Sequence, residues 1–237
     1  GPRTLGLIVV LLPPTLIFMN NIIWKETGLV LSILMPVLLA LILAILNIIY
    51  GYLFESRRRE HLKQMFGQYV PEKHIDEMLR SSGNYGLRGE DREMSVLFAD
   101  IRSFTTISEG LSASELVEML NTFFTPMTEI IFKHRGTIDK YVGDLIMAFW
   151  GAPLKDKHHA RHAIESALEM QAKVKELKPI LAKHNLATDI QIGIGINSGM
   201  MSVGDMGSKY RRNYTVLGDA VNLASRVEGL TKFYGVD

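Results

Sequence analysis

Three sets of polar residues interrupt otherwise apolar stretches, and their types suggest phosphate chemistry. Asp100 closes the apolar run 95–99, where an ionised carboxylate is costly unless something pairs with it. Asp144 sits in the Gly143-Asp144 turn between the apolar runs 138–142 and 145–149. Two acids at adjacent strand tips can share a pair of divalent cations. Hard oxygen ligands suit magnesium or manganese bridging phosphate oxygens, and two such ions about 4 Å apart serve in-line phosphoryl or nucleotidyl transfer. For either aspartate alone, ordinary turn or helix-cap chemistry is the competing explanation. Asn222 and Arg226 lie four residues apart on a predicted helix and therefore share a face. An amide beside a guanidinium can hold a sugar and a phosphate. The alternative there is an exposed helix face capped by Asp219.

Several elements must position these residues. The pattern predicts strands over 93–101, 137–142 and 145–150, with helices over 112–134 and 158–184. Further strands are expected near 189–197, 201–203 and 214–216, before a helix from 220 to about 228 that stops at Gly229. Strands and helices alternate with at least one hairpin, which predicts an α/β (α+β) sandwich on a mixed sheet. Gly193 and Gly195 alternate along one strand and suggest a close backbone approach. His158, His159 and His162 have metal-like spacing but begin an amphipathic helix beside Asp156, and ordinary helix surface is the stronger reading. Met147, Phe149 and Trp150 read as core, and Lys209, Arg211 and Arg212 as a solvated basic hairpin.

Composition narrows the classes. The 237 residues carry 26 basic and 25 acidic side chains and no cysteine. Thiolate metal sites, disulfides and cysteine nucleophiles are excluded, and the charge balance argues against a nucleic-acid-coating protein. The charges are unevenly placed. Residues 5–24 and 27–54 contain none, whereas residues 55–237 hold 24 basic and 24 acidic groups. A bilayer core about 30 Å thick needs roughly 20 helical residues, so both stretches can span it as a helical hairpin over residues 1–54, with Pro13, Pro14 and Pro36 inside the spans. Arg57, Arg58, Arg59 and Lys63 after the second stretch predict a multi-pass protein of the cell (inner) membrane with both ends cytoplasmic. Residues 55–91 read as a helical connector broken at Pro71 and followed by a glycine-rich linker. The connector either transmits a signal by pairing with its copy in a dimer or packs on its own domain. Residues 92–237 form the remaining domain.

The motifs Phe98-Ala99-Asp100-Ile101-Arg102-Ser103-Phe104, Lys140-Tyr141-Val142-Gly143-Asp144 and 215–226 occur in the order found in class III adenylate and guanylate cyclases, and the chain resembles that family from about Glu93 onward. The resemblance implies a ferredoxin-like catalytic domain. It also implies that Asp100 and Asp144, with the Ile101 carbonyl, hold two Mg2+ or Mn2+ ions, and that the amides around Phe104 and Thr105 lie near the phosphates. Lys140 and Thr215 would read the purine, a pair that favours ATP because guanylate cyclases carry Glu and typically Cys there. Asn222 would orient the ribose, and Arg226 would stabilise the transferring phosphate. It further implies sites shared across a homodimer. A weaker resemblance to bacterial membrane cyclases with a CHASE-like sensor implies an upstream sensor domain. The family's further triphosphate lysine would lie beyond Asp237. A guanylate cyclase and a catalytically silent nucleotide-sensing domain stand as alternatives.

Overall fold

Strand β1 (Glu90–Ile101) organises the second of two compact units, Gly1–His61 and Leu62–Asp237. The computed structural model describes residues 2–28, 34–80, 89–183 and 190–236. β1 pairs on one side with β3 (Leu145–Trp150), Ser95 opposite Trp150, and on the other with β4 (Ile192–Gly207), Ile101 opposite Ile192. β2 (Thr137–Val142) and β5 (Arg212–Leu217) complete the order β2-β3-β1-β4-β5. With α5 (Ala113–Lys133) and α6 (His159–Lys183) as crossovers, β1-α5-β2-β3-α6-β4 gives the expected ferredoxin-like arrangement. The expected mixed sheet is corrected: every strand pairing is antiparallel, because each crossover returns the chain to a non-adjacent position. The strands expected near 189–197 and 201–203 are one continuous β4, since Gly199 stays in register opposite Met94.

Both faces of β1 are covered, which is why it reads as a continuous apolar run. Leu97, Ala99 and Ile101 face a core with Phe123, Met127 and Ile131 of α5 and Met170 and Val174 of α6. Val96 and Phe98 face a second core with Val203, Tyr214, Val216 and Ala224. Ser112 starts α5 through a capping box: it accepts from Glu115 N, and its own N–H donates to the Glu115 carboxylate at 2.8 Å. Such a cap contributes about 1 kcal/mol.

The connector's apolar residues pack on their own domain. α2 (Leu34–Phe66) ends five residues before Pro71, and α3 (Glu72–Arg80) follows it. Leu62, Phe66, Val70, Ile75 and Met78 join the second core. In the intervening turn, the Tyr69 carbonyl accepts from Ile138 N at 3.0 Å, and the Tyr69 hydroxyl accepts from Tyr214 N at 3.4 Å. The turn thus touches both edges of the sheet. Most of the glycine-rich linker lies outside the described residues, and Glu90 and Asp91 belong to β1.

In the first unit, α1 (Pro2–Thr27) contains the whole uncharged stretch 5–24, with Pro13 and Pro14 inside it, and extends to charged residues at both ends. Pro36 is the third residue of α2, in its first turn, where a missing N–H costs little. Among the described residues one helix, α2, is long and apolar enough to cross a membrane, with an 18-residue stretch of mean hydropathy 2.5 and none of it buried.

Candidate active site

The strand ends deliver two acids to one place. Asp100 is the penultimate residue of β1, and Asp144 follows Gly143, whose φ of +63° suits glycine at the β2–β3 turn. Ile101 N donates to Asp144 Oδ2 at 2.9 Å, and the two carboxyl groups are themselves hydrogen-bonded. Burial and the neighbouring Asp100 push the Asp144 carboxyl up to about 7. Burial also acts against charge on Asp100, but its bonds to Asp144 and to the Lys232 ammonium at 2.9 Å outweigh this and hold it below the usual carboxylate range. Two carboxylates in contact cannot easily both ionise, so the pair retains a proton near neutral pH. Beside them opens a cleft of about 590 Å3, lined also by Ile101, Phe104 and Thr105. Ser103, at φ 53°, turns the chain sharply into α4 (Phe104–Glu109), a helix missing from the sequence expectation, and so brings Phe104 and Thr105 to the cleft.

The residues fit a divalent cation of the hard, oxygen-seeking kind. Two acids compete for one proton, and a lysine already supplies positive charge to one of them. Among the described residues no group of three or more His, Asp or Glu side chains converges as a metal cage. Two carboxylates and backbone carbonyls would leave the rest of the oxygen shell to phosphate and water, which is how magnesium usually binds.

A second cluster joins opposite edges of the sheet. Lys140 of β2 and Thr215 of β5 meet, with Nζ 3.5 Å from Oγ1. The register of β2 against β3 shifts between Ile138 and Lys140, so Asp139 is an extra, bulged residue. Bulges re-aim side chains, and this one turns Asp139 inward until its side chain has no exposed surface. Thr215 Oγ1 donates to Asp139 Oδ2 at 2.6 Å, Val216 N donates to the same oxygen at 3.4 Å, and Lys140 Nζ lies 3.1 Å from Oδ1. Burial pushes the Asp139 carboxyl up despite these partners.

Asn222 and Arg226 lie exposed on α7 (Asp219–Tyr234), with the Arg226 side chain 67% exposed. The cleft holding Asp100 and Asp144 is lined by none of Lys140, Thr215, Asn222 or Arg226. Asp219 is not the N-cap; Gly218 is, leaving Asp219 in the first turn with Oδ1 3.7 Å from Arg226 Nη2. Nor does α7 stop at Gly229. It runs on to Gly235, at φ +61°, because Thr231 is buried against β4 and this packing outweighs the roughly 1 kcal/mol cost of an internal glycine. Gly195 permits that packing: a Cβ there would lie 2.3 Å from Glu228 N.

Other polar residues find structural partners. His159 Nδ1 is 2.8 Å from Ser95 Oγ, and His162 Nδ1 is 2.6 Å from Asp156. Met147, Phe149 and Trp150 are buried as expected. Lys209 and Arg211 are exposed in the β4–β5 turn, and Arg212 pairs with Asp205 at 3.3 Å. The sequence reading missed Asp139 and Lys232. A charge amid the apolar β2 run was a signal for Asp139, whereas nothing local marked Lys232.

The chain is similar to several known cyclases. Adenylate cyclase 1 of Rhizobium meliloti (strain 1021) is 39% identical over 171 residues, 72% of this chain and 25% of that protein. The adenylate cyclase of Anabaena cylindrica is 36% identical over 176 residues, 72% of this chain and 34% of its own length. The chain therefore spans about a quarter to a third of these relatives. Among solved structures, the guanylyl cyclase Cya2 aligns with a TM-score of 0.58 at 39% identity, over 60% of this chain and 72% of that one. The adenylyl cyclase CyaB from P. aeruginosa gives 0.58 at 37%, over 60% and 74%. Residues 88–234 match the Adenylate and Guanylate cyclase catalytic domain, and the chain belongs to that family.

Proposed function

We propose that this chain is a membrane-anchored adenylate cyclase that converts ATP to 3′,5′-cyclic AMP and pyrophosphate at sites completed across a homodimer. The observation that carries this reading is the separation of two half-sites within one chain. The acid cleft contains Asp100 and Asp144, while Lys140 with Thr215, and Asn222 with Arg226, lie outside its lining. A second copy can bring the missing half to each cleft.

Overall similarity does not separate the two purines, because the adenylyl and guanylyl cyclases of known structure are about equally close. Local chemistry does favour one. The Lys140 ammonium beside the Thr215 oxygen offers a donor next to an acceptor, matching adenine N1 and the 6-amino group. Asn222 positions the ribose so that its 3′-oxygen faces the α-phosphorus, and the reaction then needs no covalent enzyme intermediate. Bond formation from that oxygen and departure of pyrophosphate concentrate negative charge, which the Arg226 guanidinium is suited to stabilise. Asp100, Asp144 and the Ile101 carbonyl would hold Mg2+ or Mn2+, whose charge acidifies the 3′-hydroxyl and offsets the triphosphate. Phe104 and Thr105 supply the start of α4 beside the phosphates. The apolar helices α1 and α2 form the proposed cytoplasmic-membrane anchor, and the relatives' greater length leaves room for an upstream sensor.

The direct test is product formation by the full-length protein with manganese and either ATP or GTP. At least a tenfold preference for ATP is expected. A preference for GTP would overturn the purine assignment, and absence of both cyclic nucleotides would overturn catalysis.

A further inference from the structure

We propose that Asp139 sets the purine preference by locking the Thr215 hydroxyl as an acceptor and holding the Lys140 ammonium beside it. The inference rests on the cyclase reading above and gives a role to a buried side chain outside the metal and phosphate sets.

The lock follows from counting hydrogens. A threonine hydroxyl has one hydrogen to give and two lone pairs. Val216 N–H can only donate, and it points at the same Oδ2 that Thr215 contacts at 2.6 Å. With Asp139 ionised, Oδ2 can only accept, and it does so from both Thr215 and Val216. Oδ1 has the Lys140 ammonium 3.1 Å away but no directed hydrogen bond. With its hydrogen spent on Oδ2, Thr215 presents only lone pairs toward Lys140. It can accept from an exocyclic amino group and cannot donate to a carbonyl in the same place. A free hydroxyl would rotate to serve either, so threonine alone would discriminate poorly between 6-amino and 6-oxo purines. The bulge gives the lock its position: without the extra residue, the alternation of β2 would not bury Asp139 between the two sheet edges.

Asp139 is thus a positioning residue for specificity. The bland alternative is that it merely stitches β2 to β5, and substrate analogues separate the two. Using ATP, purine riboside triphosphate, which lacks the 6-substituent, and inosine triphosphate, which carries a 6-oxo group, the wild-type protein should rank kcat/KM in that order. About tenfold should separate ATP from purine riboside triphosphate, with a further loss for inosine triphosphate, because its oxo group meets a Thr215 lone pair and its N1 hydrogen meets the Lys140 ammonium. Asp139→Asn preserves shape but places an amide donor against either Lys140 or Thr215. It should narrow the gap between inosine triphosphate and purine riboside triphosphate by at least threefold and raise the KM for ATP about tenfold, with kcat changed less than threefold. On a Thr215→Ala background, Asp139→Asn should not alter the ranking further.

If wild-type protein handles inosine triphosphate as well as or better than purine riboside triphosphate, the locked hydroxyl is refuted without any variant. If Asp139→Asn leaves the gap between inosine triphosphate and purine riboside triphosphate unchanged, its role is only structural. If Asp139→Asn does not fold, the wild-type ranking and Thr215→Val decide: an unchanged inosine penalty in Thr215→Val overturns the inference. If no triphosphate is turned over, the cyclase reading fails, and the same ranking measured as competitive binding still decides the role of Asp139.

Discussion

Asp139 and Asp144 lie five residues apart in one hairpin, and their surroundings give them opposite chemistry. Asp139 is sealed behind a bulge with a hydroxyl and an amide on one oxygen and an ammonium near the other. Asp144 is half-buried beside a second carboxyl, receives one backbone amide, and holds a proton up to about pH 7. A carboxylate surrounded by donors organises its neighbours without outside help. A carboxyl pair whose nearby ammonium comes from the half-exposed Lys232 is a place where a cation can bind.

The largest expected effect comes from removing the acid pair. Asp100→Ala or Asp144→Ala in the complete protein should reduce manganese-ATP turnover by about a thousandfold or more while leaving the unfolding temperature within a few degrees. Near wild-type turnover would erase the contrast between the two aspartates. Arg226→Ala should lower kcat by about a hundredfold to a thousandfold with little change in KM, as expected for a donor that acts on developing charge. An effect confined to KM would make Arg226 a substrate anchor instead. Lys140→Glu combined with Thr215→Cys should move the ATP:GTP ratio of kcat/KM toward GTP by about tenfold to a hundredfold, and an unchanged ratio would remove the purine assignment.

The smallest effect is on stability. In chelator, the raised carboxyl of Asp144 contributes stability that is fully present below pH 4 and is lost as pH rises through about 7. Discounted for its exposed half, this amounts to about 1 kcal/mol between pH 5 and 8. Asp144→Asn should flatten that slope in thermal unfolding measured at several pH values. A slope equal to wild type would mean that the acid pair is not strained without a cation.

Much of this was legible in the sequence because local rules governed it. β2 and β3 fall where the apolar runs and the Gly143-Asp144 turn place them, and the helix expected over 112–134 is α5. Failures came where tertiary packing overrode local signals. Gly229 looked like a stop, but Thr231 beyond it is buried. Separate strands were expected near 189–197 and 201–203, but β4 continues between them opposite β1. The sheet direction was misjudged because alternating strands and helices do not by themselves say which strands become neighbours. Within the site, Asp100, Asp144, Lys140 and Thr215 were visible as motif residues, whereas Asp139 became meaningful only once a bulge brought β2 against β5. Lys232 escaped because its partner Asp100 lies 132 residues away.

If each chain holds two incomplete halves of a site, as proposed, mixed dimers should regain what the single variants lose. Asp144→Ala and Arg226→Ala proteins should each be inactive alone. Co-expressed in equal amounts, they should recover about a quarter of wild-type cyclic AMP formation, because about half the dimers are mixed and each of these carries one intact site. No recovery from well-folded, demonstrably mixed dimers would contradict the shared-site account.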